Sequence, residues 1–468
     1  MARSNNTLLT ERHYEILEYA NNYYMANKVG PLLHILNKNL SVTQSELKTL
    51  FPHGLLSVYT WIGIPVHSTD EVPCKPLAKL EVKNLREVYF DHNATTYIRK
   101  EVAKVLDDFF SGKYGYGNPS SSTAIGKAAY DYVFEARKTI ADTLNVWPEN
   151  IVFTSCGSES NNLAVKGIAF NHLKEKGHII TTKIEHSSVL NTVEWLGAQG
   201  YDTTFLDVDS NGFISLEQLK KSIRKDTILI SVMAANNEVG IINNIDEIAD
   251  ISAFYNIPFF TDAVQAYGKI QMHPVKSKIS LLSFSGHKIY APKGIGALYI
   301  DNKTRLTPLI HGGGQENGLR SGTENVGYIM AFAKAAQLMQ DEMSSEEKRI
   351  TDFRNLFLER LKAVEPNYIL NGTLENRIYN NLNIGFPDVD GGALQLSLNN
   401  IGVYTSSQSA CSSGSKETSH VLKAMNVDVE KYGVIRFSFG LNNNKEDLDY
   451  FFSYLPEVLK QLKENKEG

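Results

Sequence analysis

Lys288 closes a run of small residues, Ser283-Phe-Ser-Gly-His-Lys288, that leaves the short apolar segment Ile279–Leu282 and precedes a second one, Ala297–Ile300. A buried strand ending in glycine and serine delivers its last side chains to an open edge. A lysine held there against apolar walls has its pKa lowered, and the free amine can form a Schiff base with an aldehyde. Upstream, Ile257-Pro-Phe-Phe-Thr-Asp262-Ala-Val-Gln265 reads as another buried strand, this one ending in a carboxylate. An amine for an aldehyde and an acid to keep a pyridine nitrogen protonated are the two groups that pyridoxal phosphate needs. Each residue also has a plainer reading. A lysine after glycine is most often solvated, and an aspartate after a strand commonly caps the next helix.

Other stretches supply compatible chemistry. Ile151-Val-Phe-Thr-Ser-Cys156-Gly157-Ser158 reads as strand, glycine turn and helix start, where backbone N–H groups and the helix dipole form a phosphate site, although an ordinary capped helix looks the same. Gly157 would let a phosphate approach and Ser158 would add a hydroxyl, with Cys156 a small packing residue behind the loop. Thr181-Thr-Lys-Ile-Glu185-His186 places an imidazole at a strand end, able to move protons near neutral pH or simply to pack. Gly433-Val-Ile-Arg436 carries a guanidinium able to hold a carboxylate through two parallel hydrogen bonds. Tyr404-Thr-Ser-Ser-Gln-Ser-Ala-Cys411-Ser-Ser-Gly-Ser surrounds one cysteine with serines and a glycine, a loop composition at odds with burial.

Taken in order, these motifs resemble the NifS/IscS-type cysteine desulfurases, class-V aminotransferase relatives among the fold-type I pyridoxal-phosphate enzymes, from about Val88 to the C-terminus. The resemblance implies that Lys288 carries the cofactor and moves the α-proton of L-cysteine, that Asp262 holds the ring nitrogen, and that His186 stacks on the ring. It implies Gln265 at the phenolic oxygen, with Ser285 and His287 joining Gly157 and Ser158 at the phosphate. Asn237 lies by cofactor and substrate, Asn93 in the opening turn joins the substrate site, and Arg436 takes the substrate carboxylate. Cys411, in a loop like that of the long-loop branch, would attack the substrate sulfur, leaving a persulfide for a sulfur-acceptor protein and releasing alanine. Thr323, in His311-Gly-Gly-Gly-Gln-Glu-Asn-Gly-Leu-Arg320-Ser-Gly-Thr323, reaches the partner subunit's phosphate in such enzymes, so a homodimer is implied; the plainer reading is a surface loop. A selenocysteine lyase would use nearly the same pocket, and an aminotransferase would need no Cys411. The chain departs from the family at Ser158, Tyr97, Thr418 and Leu441, where threonine, proline, proline and arginine are usual.

Composition fits this reading. Over 468 residues, 42% are apolar and 21% charged, with a net charge of −5, so two or three soluble domains are expected and no nucleic-acid signature is present. No apolar run reaches the roughly 18–20 residues that span a bilayer, and the N-terminus lacks an apolar signal segment, so a cytoplasmic protein is expected. Cys74, Cys156 and Cys411 are far apart, without disulfide or zinc spacing.

The elements expected to position these residues are alternating strands and helices from Val88 to about residue 300, an α/β pattern with a mainly parallel sheet covered on both faces. Domains are expected at 88–340 (cofactor-binding) and 341–468 (a smaller α+β domain with the cysteine loop). Residues 1–66 read as a small all-α domain. Thr10 would cap a helix through Ala26 with Ile16, Leu17, Ala20, Tyr23 and Tyr24 on one face, Pro31–Asn37 reads as a second helix, and Ser41-Val-Thr-Gln44 would open a third as a capping box. A fourth is expected at 55–62. This segment resembles the DsrC/TusE sulfur carriers through Thr10-Glu-Arg-His, Tyr23-Tyr24, Gly30-Pro-Leu-Leu-His-Ile-Leu, Leu50-Phe-Pro-His-Gly54 and Gly63-Ile-Pro65. The likeness implies a sulfur-carrying cysteine on the arm that follows, where Cys74 stands in a linker expected at 67–87. Its spacing from Pro65 is longer than in the carriers and the chain continues past it, so an incidental linker thiol is the competing reading.

Overall fold

The computed structural model describes residues 10–27, 33–51, 58, 80, 82, 85–407 and 419–467. Among the first of these are three helices, α1 (Glu11–Asn27), α2 (Leu33–Leu40) and α3 (Gln44–Leu50). They share a core in which Ile16 and Ala20 of α1 meet Leu36, Val42, Leu47 and Phe51, with Leu17 and Tyr24 packed at its edge. One expectation changes here. The cap of α3 is Thr43, whose hydroxyl accepts from the Glu46 amide at 3.2 Å, and Ser41 instead takes a left-handed turn at φ 54°. Thr10 stands immediately before α1, where its carbonyl accepts from the His13 and Tyr14 amides at 3.0 and 3.2 Å and its hydroxyl pairs with His13 Nδ1 at 2.8 Å. The helix expected at 55–62 lies, apart from Val58, outside the described residues.

The rest of the chain opens with β1 (Val88–Tyr89), followed by α4 (Lys100–Phe110) and α5 (Ala124–Leu144). Strands and helices then alternate: β2 (Ile151–Thr154), α6 (Gly157–Ala169), β3 (His178–Thr182), α7 (Ser187–Ala198), β4 (Asp202–Leu206), α8 (Leu216–Ser222), β5 (Thr227–Ser231), α9 (Ile245–Phe254), β6 (Phe259–Asp262), β7 (Leu281–Ser285) and β8 (Gly296–Ile300). They make a seven-stranded sheet in the order β2-β8-β7-β6-β5-β3-β4, parallel from β7 through β4, with β8 antiparallel to both its neighbours. Successive side chains alternate between two cores. Phe153, Ile180, Ile230, Phe259, Leu282 and Tyr299 enter one, and Val152, Ile179, Leu229, Phe260, Leu281 and Leu298 the other. A period of two with both faces apolar is what covering a parallel sheet by helices on each side demands.

α10 (Val326–Val364) is one 39-residue helix, and the boundary expected at residue 340 falls inside it. Its first half, to Met339, packs into the sheet's core; its second half, from Ile350, packs into a separate core. That second core is built on a four-stranded antiparallel sheet of β9 (Ile369–Leu370), β10 (Asn381–Pro387), β12 (Ser406–Ser407) and β13 (Tyr432–Ser438), in the order β12-β13-β10-β9. Helices α11 (Gly391–Asn400), α12 (His420–Ala424) and α13 (Lys445–Glu467) complete this part, and β11 (Val403–Tyr404) pairs in parallel with β1. Phe90, just after β1, sits among Phe353, Phe357, Phe437, Phe439 and Phe451, so the opening segment is fastened to the C-terminal core. The end of the expected linker is fastened there too: Leu80 and Val82 pack against this core, and Arg86 pairs with Asp447 at 2.7 Å.

Candidate active site

The parallel strands end on one side of the sheet, and their last residues line the site. β6 ends on Asp262, beside Ser283 of β7. Asp262 is buried; its Oδ2 accepts from Asn161 Nδ2 at 2.7 Å and its Oδ1 from the Val264 amide at 2.9 Å. Ser283 in turn donates to Asn161 Oδ1 at 2.5 Å, so the Asn161 amide is locked between two strands. β7 runs into a tight turn that presents Lys288. Its Nζ donates to the carbonyls of Asn93 at 2.5 Å and Ala94 at 2.7 Å. Burial, then the charge of Arg436, push this amine down to about 8 against the opposing pull of Asp91 and Asp262. Asn93 O also accepts from Gln265 Nε2 at 2.9 Å, which joins the opening turn, Gln265 and Lys288 at one oxygen.

The candidate phosphate end lies where α6 begins. Gly157 is its first residue, and a Cβ there would stand 2.8 Å from Val264 Cγ2 and 3.6 Å from Ser285 Cβ. Ser285 Oγ is buried and has no hydrogen-bond partner among the described residues, an orphan that a bound acceptor would satisfy. Ser158 is exposed on the same first turn. His287 Nδ1 lies 3.1 Å from Thr95 Oγ1, and burial together with Lys288, Lys293 and Lys269 holds the imidazole down to about 4, so it is neutral at pH 7. An open helix N-terminus with an orphan hydroxyl, a buried carboxylate and an amine of lowered pKa fit pyridoxal phosphate in both its anionic and its aldehyde parts. Cys156, expected to pack behind the loop, is half-buried at the N-cap of α6.

His186 caps α7, its Nδ1 accepting from the Ser188 amide at 3.1 Å, and the ring is exposed. Ser188 Oγ lies 2.7 Å from that Nδ1 and accepts from Asn161 Nδ2 at 2.8 Å, so a chain of polar contacts runs from His186 to Asp262. Beneath His186, Glu185 is wholly buried. Its Oε1 accepts from Thr182 Oγ1 and the Met233 amide, both at 2.9 Å, while Oε2 has no partner among the described residues. Burial pushes this carboxyl up to about 8.

Opposite stands Arg436 on β13. Its Nη2 donates to Asp91 Oδ1 at 2.6 Å and its Nη1 to Asn237 O at 3.0 Å, leaving Nε without a partner among the described residues. Burial raises the pKa of Asp91, and the guanidinium beside it opposes the rise. Asn93 reaches the same carbonyl of Asn237 through Nδ2 at 3.3 Å.

Cys411 and Cys74 lie outside the described residues, and so does Thr418. The described flanks of the segment that carries Cys411 are well anchored. Ser406 and Ser407 pair with Arg436 and Ile435, and Ser407 Oγ donates to Gln395 at 2.6 Å. On the far side Ser419 donates to Glu238 Oε2 at 2.5 Å and His420 Nε2 lies 2.9 Å from Glu185 O. Thr323 is exposed on the glycine-rich loop and is not among the residues joined by these contacts; that loop is pinned by Arg137–Glu316 at 2.6 Å and Arg320–Glu159 at 2.9 Å. Asn161, Ser188, Asp91, Glu185 and Glu238 were not singled out from the sequence. Only Asn161 left a trace there, as a polar residue one helical turn after Gly157.

Residues 88–451 match the family model described as aminotransferase class-V. The cysteine desulfurase IscS of Dictyoglomus turgidum is 46% identical over 379 residues, which cover 81% of this chain and 96% of that protein. That of Methanosarcina thermophila is 44% identical over 379 residues, covering 81% and 93%. Among solved structures, a NifS-like protein superposes with a TM-score of 0.76 at 39% identity, over 81% of this chain and all of the other. A protein named SspA, solved in complex with cysteine, superposes with a TM-score of 0.67 at 36% identity, over 75% and 98%.

Proposed function

The chain belongs to the aminotransferase class-V family, and from that membership we propose how its own residues divide the work of taking sulfur from L-cysteine. It is a pyridoxal-phosphate-dependent cysteine desulfurase with the fold of the NifS-like enzymes. The observation that carries the division is the pairing of Asp262 at the end of β6 with Lys288 after β7, its amine held near pH 8.

Bound pyridoxal phosphate supplies an aldehyde that links to amines and a ring that takes up the electron pair left when the substrate's α-proton departs. Asp262 would hold the ring nitrogen, Gln265 the phenolic oxygen and His186 the ring face. Gly157, Ser158, Ser285 and His287 would hold the phosphate, with Thr323 serving the partner subunit of a homodimer. Arg436 and Asn237, with Asn93, orient the substrate carboxylate. Lys288 Nζ takes the α-proton and returns it, which an amine with pKa near 8 can do at neutral pH. The Cys411 thiolate attacks the substrate sulfur: an S–S bond forms, the Cβ–S bond breaks, and its electron pair stays with the carbon, which takes a proton to give alanine. His186 or the substrate amine accepts the thiol proton. The Cys411 persulfide is then passed to a sulfur-acceptor protein.

For the N-terminal helices we propose a carrier role, with Cys74 receiving sulfur from Cys411. The support is the likeness to DsrC/TusE carriers and the separate core of α1–α3. The test of the central assignment is Lys288→Ala supplied with L-cysteine and the cofactor. Neither alanine nor sulfide is expected, and wild-type turnover in that variant would refute it.

A further inference from the structure

Lys269 is a buried cation that no ion pair among the described residues includes. It is 8% exposed, in a turn that doubles back through Gly268 at φ 77°, where a Cβ would stand 2.8 Å from Ile289 Cγ2. A buried ammonium without a counter-ion is costly, so its partners are informative. Both are on one residue: Nζ donates to the Gln265 carbonyl at 3.0 Å and reaches Gln265 Oε1 at 3.4 Å. The other end of that amide donates from Nε2 to Asn93 O, the oxygen that also receives Lys288 Nζ.

An amide side chain has an acceptor end and a donor end, and only its neighbours decide which way it faces. The amine of Lys269 donates in either protonation state, so the flipped amide would set NH₂ against it. None of the other titratable groups around it is hydrogen-bonded to its Nζ among the described residues. Lys288 and His287 sit on the cofactor side. His92, Tyr290, Tyr379 and Glu346 line the same cavity of about 20 Å³, and Glu346 is held by Arg349 at 2.8 Å. Burial, then the charge of Lys288, bring Lys269 down to about 7, in keeping with an amine placed for its hydrogen bonds rather than its charge.

We propose that Lys269 is a positioning residue that fixes the Gln265 amide with Nε2 as the donor toward the cofactor's phenolic oxygen. This rests on the assignment of Gln265 to that oxygen. A donor there favours the negatively charged oxygen and so keeps the proton off the neighbouring Lys288–cofactor linkage. The test is a pH titration of the visible absorption of the holoenzyme, without substrate, for wild type, K269M, K269Q and Q265L. K269M removes the donor at similar volume, and K269Q replaces it with a neutral one. The apparent pKa is expected to rise by about one unit in K269M and in Q265L, and to return to within a few tenths of wild type in K269Q. K269L gives the same comparison should K269M fail to fold. A wild-type titration in K269M beside a shifted Q265L would overturn the proposal and leave the Gln265 assignment standing. Unshifted titrations in both would overturn the two together, and a shift in K269M that K269Q does not repair would also overturn it.

Discussion

The ends of β6 and β3 each bring a buried carboxyl group to the same site, and the two are equipped differently. At β6, Asp262 receives one N–H donor on each oxygen, from Asn161 and from Val264. Beyond β3, Glu185 receives both its donors on Oε1 and none on Oε2. Burial pushes Glu185 up to about 8, which favours the neutral acid at physiological pH. Residue type and burial are nearly the same in the two places. What differs between the two places is how the donors are distributed over the two oxygens.

The sharpest way to break the comparison is Asp262→Ala. Alanine formation should fall by on the order of 10³-fold, about 4 kcal/mol of barrier, in a steady-state assay. Glu185→Gln copies the neutral acid and should act on stability through pH. The folded value, about 8, lies above that of an exposed glutamate, so the stability supplied by the protonated form is complete below about pH 4.5 and is lost as pH rises toward 8. Melting curves should therefore show wild type losing about 2–4 kcal/mol relative to Glu185→Gln between pH 5 and 8. Near Asp262, burial and then the charge of Arg436 bring Lys288 down to about 8. Capture of the cofactor by the apoenzyme should quicken about tenfold per pH unit and level off above that value, whereas an ordinary lysine would keep rising to about 10.4. The smallest effect concerns the Glu185 carbonyl, which holds His420: His420→Phe should slow sulfur loading several-fold, about 1 kcal/mol, in a single-turnover experiment.

The strand ends that border the candidate site were legible because each element announces its own end. Apolar runs stop at Asp262 and at Ser285-Gly-His-Lys288, and a glycine turn opens α6, so strand ends and side chains could be read from contiguous residues. The supports were hidden because they act across the chain. Asn161 serves Asp262 and Ser188 from a helix face, Asp91 meets Arg436 from far upstream, and Ser419 meets Glu238. Local chemistry also misled. Ser41 and Thr43 are both good caps, and the left-handed backbone at Ser41 decides for Thr43. The boundary expected at residue 340 has no mark in the sequence because one helix serves two cores. Leu80 and Val82 showed too little periodicity in a charged stretch to reveal that they pack.

The most direct test is peptide-resolved mapping of persulfides after a pulse of L-cysteine, on wild type and Cys411→Ser. The account predicts an extra sulfur on Cys411 in wild type, with sulfur on Cys74 appearing later and on neither residue in the variant. Sulfur on Cys411 alone would remove the carrier role and leave the desulfurase assignment intact. No sulfur on Cys411, or undiminished alanine release by Cys411→Ser, would contradict the central claim.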